Sequence, residues 1–155
     1  MALYAVFHSS VHQLASEHYT PEQINAWAPQ SVDQEAWAHK IQGIRPFVLE
    51  DTGHIVGYAD VQPDGRMEHF YVSGSHARQG IGTLLMNRIH QAAYLQVVKV
   101  LTAEVSCTAH PFFQRFGFVV VEKRSLVIRG VAVPNFLMRK ELVAVWSKTP
   151  VGPPQ

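Results

Sequence analysis

The stretch that most constrains this chain is His76-Ala77-Arg78-Gln79-Gly80-Ile81-Gly82-Thr83-Leu84-Leu85-Met86, preceded by the strand-like run Met67 to Val72. Two glycines one residue apart close a tight turn, and a helix-period apolar pattern follows at once. Ile81, Leu84, Leu85, Ile89, Ala92 and Ala93 share a helical face, with Asn87, Arg88, Gln91 and Gln96 mostly off it. A helix entered through glycines offers free backbone N–H groups and the positive end of its dipole, the combination that holds a phosphate or pyrophosphate. Taken alone, Gly-x-Gly more often marks a strand-to-helix turn in which glycine only solves a backbone problem. Arg78 and Gln79 add a charge and donors at the same mouth. The lysine of a P-loop is absent, and no third glycine or later ribose-binding acid completes a dinucleotide fingerprint.

Around this turn the chain divides by period. Residues 3 to about 17 read as a helix, with Leu3, Val6, Phe7, Val11, Leu14 and Ala15 on one face. Thr20-Pro21-Glu22-Gln23 opens a second helix that ends before Pro29. A third, capped near Ser31 or Asp33, stops at Gly43. From Arg45 the period shortens: 46–50, 55–61 and 66–72 are β-type runs, separated by the turn signals Asp51-Thr52-Gly53-His54 and Pro63-Asp64-Gly65. A long helix over 82–95, a strand over 98–105, a short helix over 109–116 and strands over 118–127 and 131–140 complete the pattern. The expected fold is α+β: one mixed, mostly antiparallel sheet with helices on both faces, as a single domain over 1–142 with a C-terminal tail over 143–155.

Three motifs in order carry a resemblance. Glu68-x-Phe70-x-Val72, seven residues, then Gly80-Ile81-Gly82 and apolar helix resembles the acetyl-CoA motif of GNAT-type N-acetyltransferases. Ser106-x-Thr108-Ala109-x-Pro111-Phe112-Phe113-Gln114-Arg115-Phe116-Gly117-Phe118 is similar to that family's closing helix-to-strand motif. Tyr19-Thr20-Pro21-Glu22-Gln23 with Ala26-Trp27-Ala28-Pro29 resembles a bacterial branch of small, mostly uncharacterised members. Such chains usually begin with a strand ahead of the first helix. This sequence starts almost at the helix, so the first strand is short, missing or supplied otherwise.

The resemblance implies acetyl-CoA as co-substrate, its pyrophosphate on backbone N–H groups of Gln79, Gly80, Ile81, Gly82 and Thr83, with Arg78 beside them. It implies a pantetheine arm along the exposed main chain of Phe70, Tyr71 and Val72, with a backbone N–H near Val72 for the thioester oxygen. Period 2 puts Glu68, Phe70 and Val72 on one strand face and His69 and Tyr71 on the other. Glu68 matches a position where many relatives carry the base; otherwise it is an ordinary solvated carboxylate. His69 is the second candidate base, with a suitable intrinsic pKa but the other face. The family's frequent acid, a tyrosine, falls at Phe113, which donates no proton. Ser106 stands where relatives often have asparagine, leaving Ser106, Tyr71 or water to protonate the thiolate. Trp27, Trp37, Phe7 and His12 either line an acceptor pocket or pack the helices.

Composition limits the partners. Thirteen Lys and Arg against twelve Asp and Glu give a formal net charge of +1, which leaves no nucleic-acid footprint. The single cysteine, Cys107, excludes an internal disulfide and fits a reducing cytoplasm. The short apolar run Ala2 to Phe7 lacks a preceding basic segment, and no stretch has the length of a membrane span. His8 and His12 stand four apart with no third metal ligand at recognisable spacing. The sequence reads as a cytoplasmic acetyl-CoA-dependent N-acetyltransferase acting on a primary amine of a small molecule or peptide, with a homodimer left open. A CoA-binding module without turnover and a structural subunit are the alternatives.

Overall fold

The computed structural model describes residues 1–143; the expected tail at Pro150 to Pro154 lies outside them. Three helices open the chain. Helix α1 (Ala2–Leu14) buries Tyr4, Val6, Phe7 and Val11, and the second helix, α2 (Pro21–Trp27), starts in a capping box in which Thr20 and Gln23 bond each other's backbone. The first helix stops three residues short of the expected end. Ala15 and Tyr19 turn inward instead, and the Tyr19 hydroxyl donates to the Pro134 carbonyl while accepting from the Cys107 N–H. Asp33 caps α3 (Gln34–Ile44) through the Ala36 N–H. The helix passes through Gly43 and ends at Arg45, whose left-handed conformation (φ 49°) precedes Pro46. Before proline the right-handed helical region is disfavoured, so the proline rather than the glycine sets the stop.

The expected single sheet is two. Strands β1 (Phe47–Asp51) and β2 (His54–Ala59) form a hairpin through Thr52 and Gly53, both at positive φ, and β4 (Phe70–Val72) pairs with the far side of β2. The second sheet runs β3 (Arg66–Met67), β5 (Val100–Ser106), β7 (Val131–Glu141), β6 (Val119–Ile128), with β3 parallel to β5 and the other pairs antiparallel. The expected strand over 66–72 is therefore broken at Glu68 and His69, its first half in one sheet and its second in the other. Beyond Met67 and Ala103 the two sheets diverge, and β4 and β5 face one another across a split.

Helices cover both faces. On one side α4 (Ile81–Leu95) and α5 (His110–Arg115) bury Met86, Ile89, Leu101, Phe118 and Met138; on the other α1 and α3 close over Tyr58, Trp37, Phe7 and Val11. Each such side chain contributes about 1.5–3 kcal/mol on leaving water, so both sheets are anchored from outside and the split between them stays open. Gly57 in β2 lets α4 sit close: a Cβ there would meet Ile81 and Leu85 side-chain carbons at 3.0 Å. No strand precedes α1 among the described residues, and β1 forms the outer edge of its sheet.

Candidate active site

The break in the strand has a cause that the sequence pattern hid. Asp60, 0% exposed at the end of β2, accepts from the His69 N–H at 2.6 Å, from the Glu68 N–H at 3.1–3.2 Å and from Gln62 Nε2 at 2.7 Å. A side-chain carboxylate takes the donors that a neighbouring strand would otherwise take, so the ladder stops there. Burial pushes the Asp60 carboxyl up, and the hydrogen bonds from Gln62, His69 and Glu68 oppose that shift. In sequence Asp60 only ends an apolar run; nothing in its spacing marks it.

Two cavities open from the split and meet. One, of about 780 Å³, is walled by the C-terminal half of α1, the turn Ala77 to Thr83, and α5. The other, of about 490 Å³, is walled by Tyr4 and Phe7 of α1, Trp37 and Lys40 of α3, residues 67–71, and the facing strands β5 and β7. Both volumes lie in the ligand-pocket range. Trp27, Phe70, Tyr71, Ser106, Ala109 and Phe113 line both. A molecule in each cavity would touch across those six residues.

The first cavity suits an elongated phosphate-bearing ligand. Gly80, at φ 82°, caps α4 with no side-chain hydrogen bond, so the first N–H groups of the helix keep their capacity for an anion. Arg78, Gly80, Gly82 and Thr83 line it, as do Phe70, Tyr71, Val72 and Phe113. Gln79 and Ile81 do not: Gln79 reaches back to the Ser75 carbonyl, and Ile81 packs into the core under α4. Arg115, to which the sequence reading gave no role, lines the same cavity with its guanidinium over the Phe112 ring.

In the second cavity the alternation of the strand holds, but both faces are used. Phe70 stacks against Phe112 and Phe113, whereas His69 and Tyr71 turn into the aromatic cluster of Phe7, Trp37 and Tyr58. Glu68 and His69 line the same cavity, so His69 is not on a face turned away from it. The Glu68 carboxylate, with its side chain 38% exposed, pairs with Arg66 Nε at 3.1 Å. His69 is 8% exposed, its Nδ1 is 2.9 Å from the Tyr58 hydroxyl, and burial together with the Lys40 charge lowers its pKa to about 4. Burial pushes Tyr71 up to about 12, opposed by a hydrogen bond from Trp27. Ser106 Oγ accepts from the Ala109 N–H at 3.0 Å, which keeps its own proton available to the junction. Trp27, Trp37 and Phe7 line this cavity, whereas His12 bonds the Ala28 carbonyl and stacks on His8.

The sequence model of the acetyltransferase (GNAT) domain family matches residues 15–142. This chain belongs to the GNAT acetyltransferases. An uncharacterised N-acetyltransferase of Escherichia coli K12, YafP, is 32% identical over 141 residues, covering 88% of this chain and 86% of that one. The GCN5-related N-acetyltransferase of Rhodopseudomonas palustris superposes with a TM-score of 0.83 at 28% identity, covering 90% and 87% of the two chains. A Salmonella typhimurium acetyltransferase, yncA, solved with acetyl-CoA, shares the fold with a TM-score of 0.63 at 21% identity, covering 92% and 87%. Within this GNAT chain the split between β4 and β5 lies where the two cavities join. Among the described residues no helix is long and apolar enough to cross a membrane.

Proposed function

We propose that the protein transfers the acetyl group of acetyl-CoA to a primary amine in the cytoplasm. The observation that carries this reading is the meeting of two cavities at Tyr71, Ser106 and Phe113: one has a glycine-entered helix N-terminus for phosphates, and the other has a carboxylate and aromatic walls for an amine. The unpaired N–H groups at Gly80 to Thr83 and the charges of Arg78 and Arg115 hold the pyrophosphate. The outer main chain of Phe70 to Val72 receives the pantetheine amides as an added strand would, with the N–H near Val72 at the thioester oxygen.

Glu68, directly or through water, takes the proton from the incoming ammonium. The amine nitrogen then attacks the carbonyl carbon, the C–S bond breaks, and the thiolate leaves. Phe113 supplies no proton at that point. Tyr71, held near 12, is a weaker acid than an ordinary thiol at about 8.5, so it hydrogen-bonds the departing sulfur without surrendering its proton. The proton that the sulfur takes up is the second one lost by the attacking nitrogen as the amide forms, relayed through Ser106 or water.

Thiol release from acetyl-CoA, followed over a panel of primary amines, tests the reading. Glu68→Gln is expected to lower turnover by roughly 10²–10⁴-fold while sparing CoA affinity, with the loss shrinking at high pH, where the free amine is already present. CoA-dependent stabilisation with no thiol release from any amine would instead mark a binding module, and neither signal a structural subunit.

A further inference from the structure

The hydrogen bond between Tyr58 and His69 fixes more than a ring. Tyr58 is fully buried, and among the described residues its hydroxyl has one partner, His69 Nδ1. If Nδ1 carried the proton, the Tyr58 hydroxyl hydrogen would be buried with no acceptor, which is costly. Tyr58 therefore donates, Nδ1 accepts, and neutral His69 carries its hydrogen on Nε2. That nitrogen has no hydrogen-bond partner among the described residues and is not sealed from solvent, so it opens onto the cavity that the ring lines. The low pKa keeps the ring neutral through the neutral range. His69 is thus a fixed N–H donor with no lone pair free to accept a proton.

The charges of the cavity point the same way. Its two acids are satisfied elsewhere, Glu68 by Arg66 and Glu104 by Arg124 at 2.8 Å. Its two cations are not: among the described residues Lys40 has no acidic partner, and Arg129 bonds the Ala26 carbonyl and no carboxylate. A wall with an N–H donor and uncompensated positive charge disfavours a simple dication and favours an acceptor that brings its own anionic oxygen. Between these groups lie the rings of Phe7, Trp37 and Tyr71, within 4.8–5.9 Å of one another or of His69 by ring centroid.

We propose that the acceptor is a free α-amino acid with an aromatic or large apolar side chain, its carboxylate taken by His69 Nε2–H and Lys40 and its side chain by Phe7, Trp37 and Tyr71. This deepens the acetyl-transfer reading and rests on it for the chemistry, but not for the binding. His69 is then a specificity residue, and the proton removed from the ammonium goes to Glu68.

Isothermal titration separates the two. L-Phenylalanine and 2-phenylethylamine differ by the carboxylate alone and are titrated into the full chain saturated with CoA. The amino acid is expected to bind at least tenfold tighter, with His69→Phe and Lys40→Ala each removing a threefold or larger share of that preference. Equal binding, preference for the decarboxylated amine, or no binding of either would overturn the proposal. If His69→Phe does not fold, the wild-type pair and Lys40→Ala still decide it. Should CoA itself fail to bind, the acetyl-transfer reading fails instead, and the same ligand pair titrated without CoA still tests the cavity.

Discussion

The two cavities are built from different parts of the chain. The cavity proposed for the cofactor is mostly main chain: an uncapped helix start at Gly80, the edge of β4, and one contiguous turn from Ala77 to Thr83. The cavity proposed for the acceptor is side chain throughout, drawn from α1, α3, the broken strand and β5 to β7. Backbone recognition needs only a conformation, which a few glycines in one stretch supply. Side-chain recognition needs particular residues brought together from separate elements. Three substitutions probe whether the two sides are separable.

The largest effect is expected from Asp60→Ala. It orphans the N–H groups of Glu68 and His69 and removes one of the two partners of the Gln62 amide, which keeps the Ile44 carbonyl. At about 1–3 kcal/mol for each unsatisfied group, stability should fall by about 3 kcal/mol or more in denaturant titration. Both released residues line the acceptor cavity, so in folded protein KM for the amine should rise while CoA affinity stays within about threefold. Equal damage to both ligands would mean that the break governs the whole split and that the sides are not independent.

Thr83→Glu comes next. Thr83 is exposed in the first turn of α4 and lines the cofactor cavity. A carboxylate near a helix N-terminus adds about 0.3–1 kcal/mol of stability, yet like charges about 4 Å apart repel by about 1 kcal/mol even in water. Thermal stability should hold or rise, while the Kd for CoA, measured by calorimetry, weakens by about tenfold. Unchanged affinity would take the phosphates away from this turn.

The smallest effect is expected from Phe113→Tyr at the junction. Phe113 is buried among Phe70, Phe112 and Phe118, and a new hydroxyl there faces the place assigned to the sulfur. With ammonium deprotonation limiting, kcat should change by less than about threefold, because thiolate protonation then lies after the slow step. A tenfold rise would show that this chain runs short of a proton at the leaving group.

What was legible in the sequence follows the same division. The glycine turn, the helix after it and the capping box at Thr20 are local signals, and the structure carries them within a residue or two. The strand-like run over 66–72 concealed the break, because a buried aspartate eight residues before the interruption is read from contacts and not from period. The same holds for Tyr58, which looks like any strand tyrosine until its hydroxyl is found on His69. For Gln79 and Ile81 the motif names the turn, but the helical phase turns one side chain toward solvent and the other into the core.

The split also bears on how the sheet edges are kept from pairing with other chains. β4 ends its sheet, and open strand edges invite pairing between chains. This edge is three residues long and lines the cavity between α1 and α5, which leaves a second chain little strand to pair with. The opposite sheet ends in β6, ten residues long, with Val119, Val121 and Val127 exposed and no helix to hide them. There the irregular register between Val120 and Glu122 and the run Glu122-Lys123-Arg124 stand guard instead, bending and charging the rim against a stray strand. One edge is protected by its setting, and the other by its sequence.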